Sequence, residues 1–226
     1  MNNDFTHLLI AQFAACLKAY DRHCPFTNYG QLEYHVETIQ QLRDLGSAGA
    51  ALNDDSFQRS LYRTLQAWKI GTRGSVLKPF PAFVGALQAK AGEIQNFAGL
   101  TIDQQNLDIS GVAKRLASLV QTLDIVDNKA RVVPGSKALH HLLPELVVPI
   151  DRAYTQRFFG WPTPRFQNFP EECFVEAFHA FVRIARATNP TQYVKNGWYT
   201  SRTKVIDNAV VGLWCRARYE LNNPAS

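Results

Sequence analysis

The sequence predicts an all-α fold of about eight to ten helices, on three observations. Apolar residues return at helical spacing in stretch after stretch. Period-2 alternation of apolar and polar residues never persists beyond four residues. Gly, Pro and capping residues punctuate the stretches. A chain of 226 residues, 46% hydrophobic and 19% charged, is long enough to bury a core. It suits one compact unit over 1–226, with room for two interleaved lobes. No internal repeat of fixed period is present, which disfavours a solenoid.

The elements follow in order. Residues 4–20 carry apolar side chains at 5, 8, 9, 10, 13, 16 and 17, a helix with one wet face. Residues 21–30, with Pro25, Asn28 and Gly30, read as a loop. Residues 31–45 form a second helix with Leu32, Val36, Ile39 and Leu42 on one face and Gly46 as its stop. Asp54, Asp55 and Ser56 offer caps to a helix over 57–68, with Leu61, Leu65 and Trp68 inward. Pro79 opens a helix over 80–97, and Ser110 is a candidate cap for one over 109–123. Pro170, Glu171 and Glu172 open a helix to Ala187, because acidic residues suit the positive end of the helix dipole. A last helix runs from Thr200 to Tyr219, with Asp207 and Asn208 as unusual polar residues leaning inward.

The run Val133–Gly160, VPGSKALHHLLPELVVPIDRAYTQRFFG, is the most informative. Pro134, Gly135 and Ser136 read as a tight turn opening a short helix that carries Lys137, His140 and His141. Free N–H groups of Gly135 and Ser136 at a helix start would suit a phosphate. Pro144 ends that helix, an apolar connector over 146–150 follows, and Asp151 stands as the N-cap of a helix over 152–159.

This order (Pro-Gly, one residue, Lys, a small residue, a short helix, an apolar run, then Asp) resembles the core of the helix-hairpin-helix DNA glycosylase superfamily. Here the hairpin is shortened to Val133–Ala138, lacks the second hairpin glycine, and sets Lys137 and Asp151 14 positions apart. The resemblance covers about thirty residues. It implies a two-lobed helical bundle with a cleft near 137–151. It also implies base flipping and cleavage of an N-glycosidic bond in duplex DNA carrying a damaged base or a hypermodified phage cytosine. Asp151 would face the oxocarbenium-like sugar, and Lys137 would supply an amine in members that also cut the strand. The iron–sulfur loop of some members is absent. The run also resembles bacterial proteins sharing the phrase SK-LHHLLP-L-PPIDR-YT-RFF, a likeness that implies no activity.

Other residues have a functional and a structural reading side by side. Asp151 is also an ordinary N-cap, and Lys137 a surface lysine on phosphate. His140 and His141 point about 100° apart on a helix, so at most one faces a given pocket. His140 and Arg152 are near enough in sequence to lower the pKa of Lys137. Tyr154, Phe158, Phe159 and Trp161 read as core, while one of them, or Trp68, could stack on an extruded base. The basic, glycine-bearing segment 69–79, with Lys69 and Arg73, is either a solvated loop or a phosphate contact. The run 199–204, ending in Lys204, is either an anion contact or a capped helix start.

A net charge of +5 and a pI near 9.1 are compatible with DNA as partner without requiring it. Cys16, Cys24, Cys173 and Cys215 are scattered without a CxxC pair, which supports neither a zinc nor an iron–sulfur site, and no cofactor is implied. The absence of a basic leader and of a bilayer-length apolar run predicts a cytoplasmic protein with no membrane partner. Two other functions fit the same residues: a non-catalytic helical DNA-binding module, and a helical interaction or regulatory protein.

Overall fold

The computed structural model describes residues 3–26, 30–71, 75–128 and 130–219. The predicted first helix is two, α1 (Asn3–Ala11) and α2 (Phe13–His23), kinked at Gln12, whose φ and ψ of −116° and 18° leave the helical region. The ladder continues across the kink from Gln12 N–H to Leu8 O and from Cys16 N–H to Gln12 O. Next comes α3 (Gln31–Leu45), stopped by Gly46 at φ 76°, a left-handed conformation that favours glycine. The five-residue α4 (Ala48–Leu52), capped by Ser47, is too short for periodicity to reveal. In α5 (Asp55–Ala67), Asp54 Oδ1 accepts the N–H of Phe57 at 2.7 Å, and Phe57, Leu61 and Leu65 are fully buried. Each such side chain contributes about 1.5–3 kcal/mol by leaving water.

The predicted helix over 80–97 breaks at Lys90 into α6 (Phe80–Ala89) and α7 (Ala91–Gln95). Asp108, one turn ahead of Gly111, caps α8 (Ile109–Thr122) in place of the expected Ser110. Then come α9 (Val132–Leu142), the four-residue α10 (Thr155–Phe158), α11 (Thr163–Asn168), α12 (Pro170–Thr188) and, after a 3₁₀ turn at Pro190–Tyr193, α13 (Arg202–Tyr219). Among the described residues there is no strand, only an isolated antiparallel bridge between Leu77 and Val126, so the fold is all-α.

The buried residues form one continuous core. Its tightest seam is α13 along α2. A Cβ on Gly212 would stand 1.9 Å from the carbonyl oxygen of Cys16, so only glycine permits this approach of the two backbones. Helix α9 packs against α3, α5, α8 and α12 and is the centre of the bundle.

That central position overturns one expectation. Pro134, Gly135 and Ser136 do not form a turn; they lie inside α9, where proline is tolerated in the first turn. The Gly135 N–H donates to Arg131 O at 2.8 Å and is therefore not free for a phosphate. Gly135 serves packing instead: a Cβ there would be 3.0 Å from Val120 O on α8. Ser136 is fully buried; its hydroxyl donates to Val133 O and accepts the N–H of Ile150 at 3.0 Å. It ties α9 to the connector, which is buried from Leu146 to Ile150 as expected.

Candidate functional site

The connector returns the chain past α9 and brings Asp151 level with Lys137. Asp151 is half-buried, and its Oδ1 accepts the Tyr154 N–H at 2.7 Å, so it caps the turn leading into α10. No described bond engages its Oδ2. The predicted helix over 152–159 shrinks to this turn plus α10. Lys137 and Asp151 line one cavity of about 50 Å³, together with Trp68, Trp198, Lys204 and Asp207. Phe26, Gln31 and Pro149 complete its wall. A space this size holds a few waters, since one needs roughly 10–15 Å³.

Lys137 Nζ donates to Trp68 O at 3.3 Å and lies 5.5 Å from the Trp68 ring centre. Burial pushes the Lys137 amine below its ordinary pKa, with Asp151 and Asp207 opposing and Lys204 assisting. The second charged pair comes from α13. Lys204 Nζ donates to Asp207 Oδ2 and Asn208 Oδ1, both at 2.6 Å. Burial raises the Asp207 carboxyl pKa, Lys204 pulls it down, and the nearby Asp151 charge pushes it up again. Asn208 in turn donates to Trp198 O at 2.8 Å, fixing the second tryptophan.

Behind the cavity lies a fully buried histidine cluster. A carbonyl can only accept, so the bond of 2.8 Å between His141 Nδ1 and Lys137 O puts the proton on that nitrogen. His141 Nε2 then accepts from His35 Nδ1 at 2.9 Å, and His35 Nε2 accepts from the Thr200 hydroxyl at 2.8 Å. The chain links α9, α3 and the approach to α13, the elements that carry the site. His140 Nδ1 donates to Val147 O at 2.9 Å, while its Nε2 is enclosed without a hydrogen-bond partner among the described residues. Burial lowers the pKa of His35 and His140 well below the usual histidine range, with His141 the next cause for both, and burial lowers that of His141 to about 4. All three are neutral near pH 7. Among the described residues no group of three or more His, Cys, Asp or Glu side chains is arranged to hold a metal ion, and no helix is long and apolar enough to cross a membrane.

The expected site residues thus divide. Asp151, Lys137, Trp68 and Lys204 converge on the cavity. His140 supports it from behind, 6.2 Å from Trp68 ring to ring. Arg152 is exposed, because its position in the turn points away from the core, and Tyr154 touches the site through its N–H on Asp151 and the 5.9 Å contact of its ring with Phe26. Gly135 and Ser136 are packing residues of α9. Lys69 follows Trp68 in a left-handed conformation, φ 62°, where the Ile70 N–H reaches Leu65 O to close α5. Arg73 lies outside the described residues. Phe158, Phe159 and Trp161 are core as predicted.

Four contributors were not read from sequence: His35, Trp198, Gln31 and Phe26. Asp207 and Asn208 lean inward as the sequence predicts, and their bonds go to Lys204 and Trp198. The signal for that pair was present. Lys204, Asp207 and Asn208 are spaced i, i+3, i+4 on a helix whose remaining residues over 205–211 are apolar. No protein-family model, curated protein or solved structure matches the chain.

Proposed function

We propose that the chain is a DNA N-glycosylase that extrudes a modified base from duplex DNA and hydrolyses its N-glycosidic bond. The observation that carries this reading is the meeting of Lys137 and Asp151, from separate segments, in one cavity walled by tryptophan. Cleavage builds positive charge on the sugar. A carboxylate at Asp151, held in place by the Tyr154 N–H, is suited to face that charge and take the proton of the attacking water. Burial of Lys137 enlarges its neutral, nucleophilic fraction, the requirement for attack on the sugar carbon in a lyase-type branch. Trp68 and Trp198 offer faces on which a base can stack. A cavity of about 50 Å³ is well below the 300 Å³ or so of a typical ligand pocket, so admitting a base requires the wall to open. The stretch following Trp68, with Lys69 left-handed and Gly71 at φ 111°, is where such a movement would pivot.

The same small volume favours a second reading, a non-catalytic helical DNA-binding module in which the buried charges only satisfy one another. Incubation of duplexes carrying single damaged or hypermodified bases separates the two. Base release by wild type that disappears in Asp151→Asn supports the enzyme. Release that survives the substitution removes Asp151 from the chemistry. No release from any duplex, with binding that weakens steeply as salt rises, supports the binding module.

A further inference from the structure

The chemistry proposed above leaves the Lys204–Asp207 pair at the cavity unused. Lys204 is 1% exposed, and two of its hydrogen bonds, to Asp207 and Asn208, fix its amine within α13. An ammonium has three donors, so one N–H remains beyond these two bonds. The amine also sits inside an aromatic collar. Its Nζ is 4.9 Å from the Trp198 ring centre, 5.8 Å from those of Trp68 and Tyr20, and 5.9 Å from that of Phe26. The ring faces and the Asp207 carboxyl group surround the amine on the side of α13. A cation anchored in this way needs no reorganisation when negative charge develops beside it, the condition under which electrostatic stabilisation is largest.

In N-glycosidic cleavage that negative charge develops on the departing base. We infer that Lys204 stabilises the leaving base, its remaining N–H donating to the ring nitrogen or conjugated carbonyl oxygen that receives the electron pair of the broken bond; this rests on the glycosylase reading above. The balance closes. The C1′–N bond breaks and its electron pair stays with the base. The oxygen of water bonds to C1′ and one of its protons passes to Asp151. The base anion is held by Lys204 until a solvent proton neutralises it, and Asp151 returns its proton to solvent, so sugar-bound base and water become free base and sugar hydroxyl. The site accordingly takes bases that present a carbonyl or ring-nitrogen acceptor toward α13. Asp207 is a positioning residue that holds the amine.

Two measurements on the full chain test this. The first is the affinity for a duplex with a pyrrolidine abasic nucleotide, whose protonated ring carries the charge of the oxocarbenium sugar, against one with the neutral tetrahydrofuran abasic nucleotide. The second is single-turnover release from the modified duplexes. Lys204→Gln is expected to keep the preference for pyrrolidine and to lose about 100-fold in release, with partial rescue at acid pH, where a protonated base departs without a cation. Lys204→Met combined with Asp207→Asn leaves no unpaired charge in the core and is expected to behave alike, and Asp207→Asn alone, which loosens the hold on the amine, is expected to lose a smaller part of the release. Release by both Lys204 variants at the wild-type rate overturns the inference and leaves the glycosylase reading intact. Loss of the pyrrolidine preference together with release also overturns it, because Lys204 would then act through the shape of the site. A wild type with neither preference nor release overturns the parent reading and this inference with it.

Discussion

Burial lowers the pKa of Lys137 and of the histidines behind it alike. The Lys137 amine is depressed mainly by burial, while the Asp151 charge works to raise it. Competitive reductive methylation across pH is therefore expected to give Lys137 an inflection below that of exposed lysines. Asp151→Asn should move that inflection lower still, since it removes a charge that favours the ammonium. An inflection unchanged or raised in Asp151→Asn would mean that the two groups do not share an environment. The histidines set the acid limit. Their folded pKa values lie below the unfolded value, so they leave stability intact above about pH 6.5. As pH falls below that value the unfolded chain binds protons that the folded chain refuses, and stability declines down to the folded pKa. For His141, with a folded value of about 4, the loss is on the order of 3 kcal/mol by pH 4. Urea midpoints should fall steeply between pH 6.5 and 4, and less steeply in His141→Gln, whose amide can span the same partners without titrating.

At the scale of elements, the site depends on how closely helices approach. Gly212 allows α13 to lie on α2, and α13 carries Lys204 and Asp207 into the cavity. Gly212→Ala puts a methyl carbon 1.9 Å from a backbone oxygen that cannot swing aside. The expected loss is about 3 kcal/mol or more, the upper range for overpacking, measured as a lower urea midpoint at unchanged slope. A variant as stable as wild type would show that the seam can open without consequence. Helix α3 shows why its inner face could not be read from hydrophobic spacing. The predicted stripe included Val36, which is 36% exposed, while His35 and Thr38 are fully buried. Their partners, His141, Thr200 and Thr64, come from distant parts of the chain, so hydrophobicity of α3 alone gave the wrong rotation. The turn expected at Pro134–Ser136 failed for a related reason. Proline and glycine mark turns in isolation, but here proline fits a first helical turn and glycine answers the crowding of α8.

For the whole molecule, helical class, the long helices and the buried connector followed from local periodicity and punctuation, which act within a few residues. Lys137 and Asp151 were legible as candidates through the resemblance carried by the run that holds them, Trp68 as a ring ahead of a basic segment, and Lys204 as a cation at a helix start. Their convergence was not, nor were Trp198 and His35, because it arises from the packing of α3, α9 and α13 around one point. We propose that this point is built to meet a cationic sugar. Its most direct test is the affinity of wild type and of Asp151→Asn for the pyrrolidine and tetrahydrofuran duplexes, a comparison that does not depend on which base is the substrate. Wild type should prefer the pyrrolidine duplex by about tenfold or more, equivalent to roughly 1.4 kcal/mol, and Asp151→Asn should bind the two alike. Equal affinity of wild type for both duplexes would contradict it.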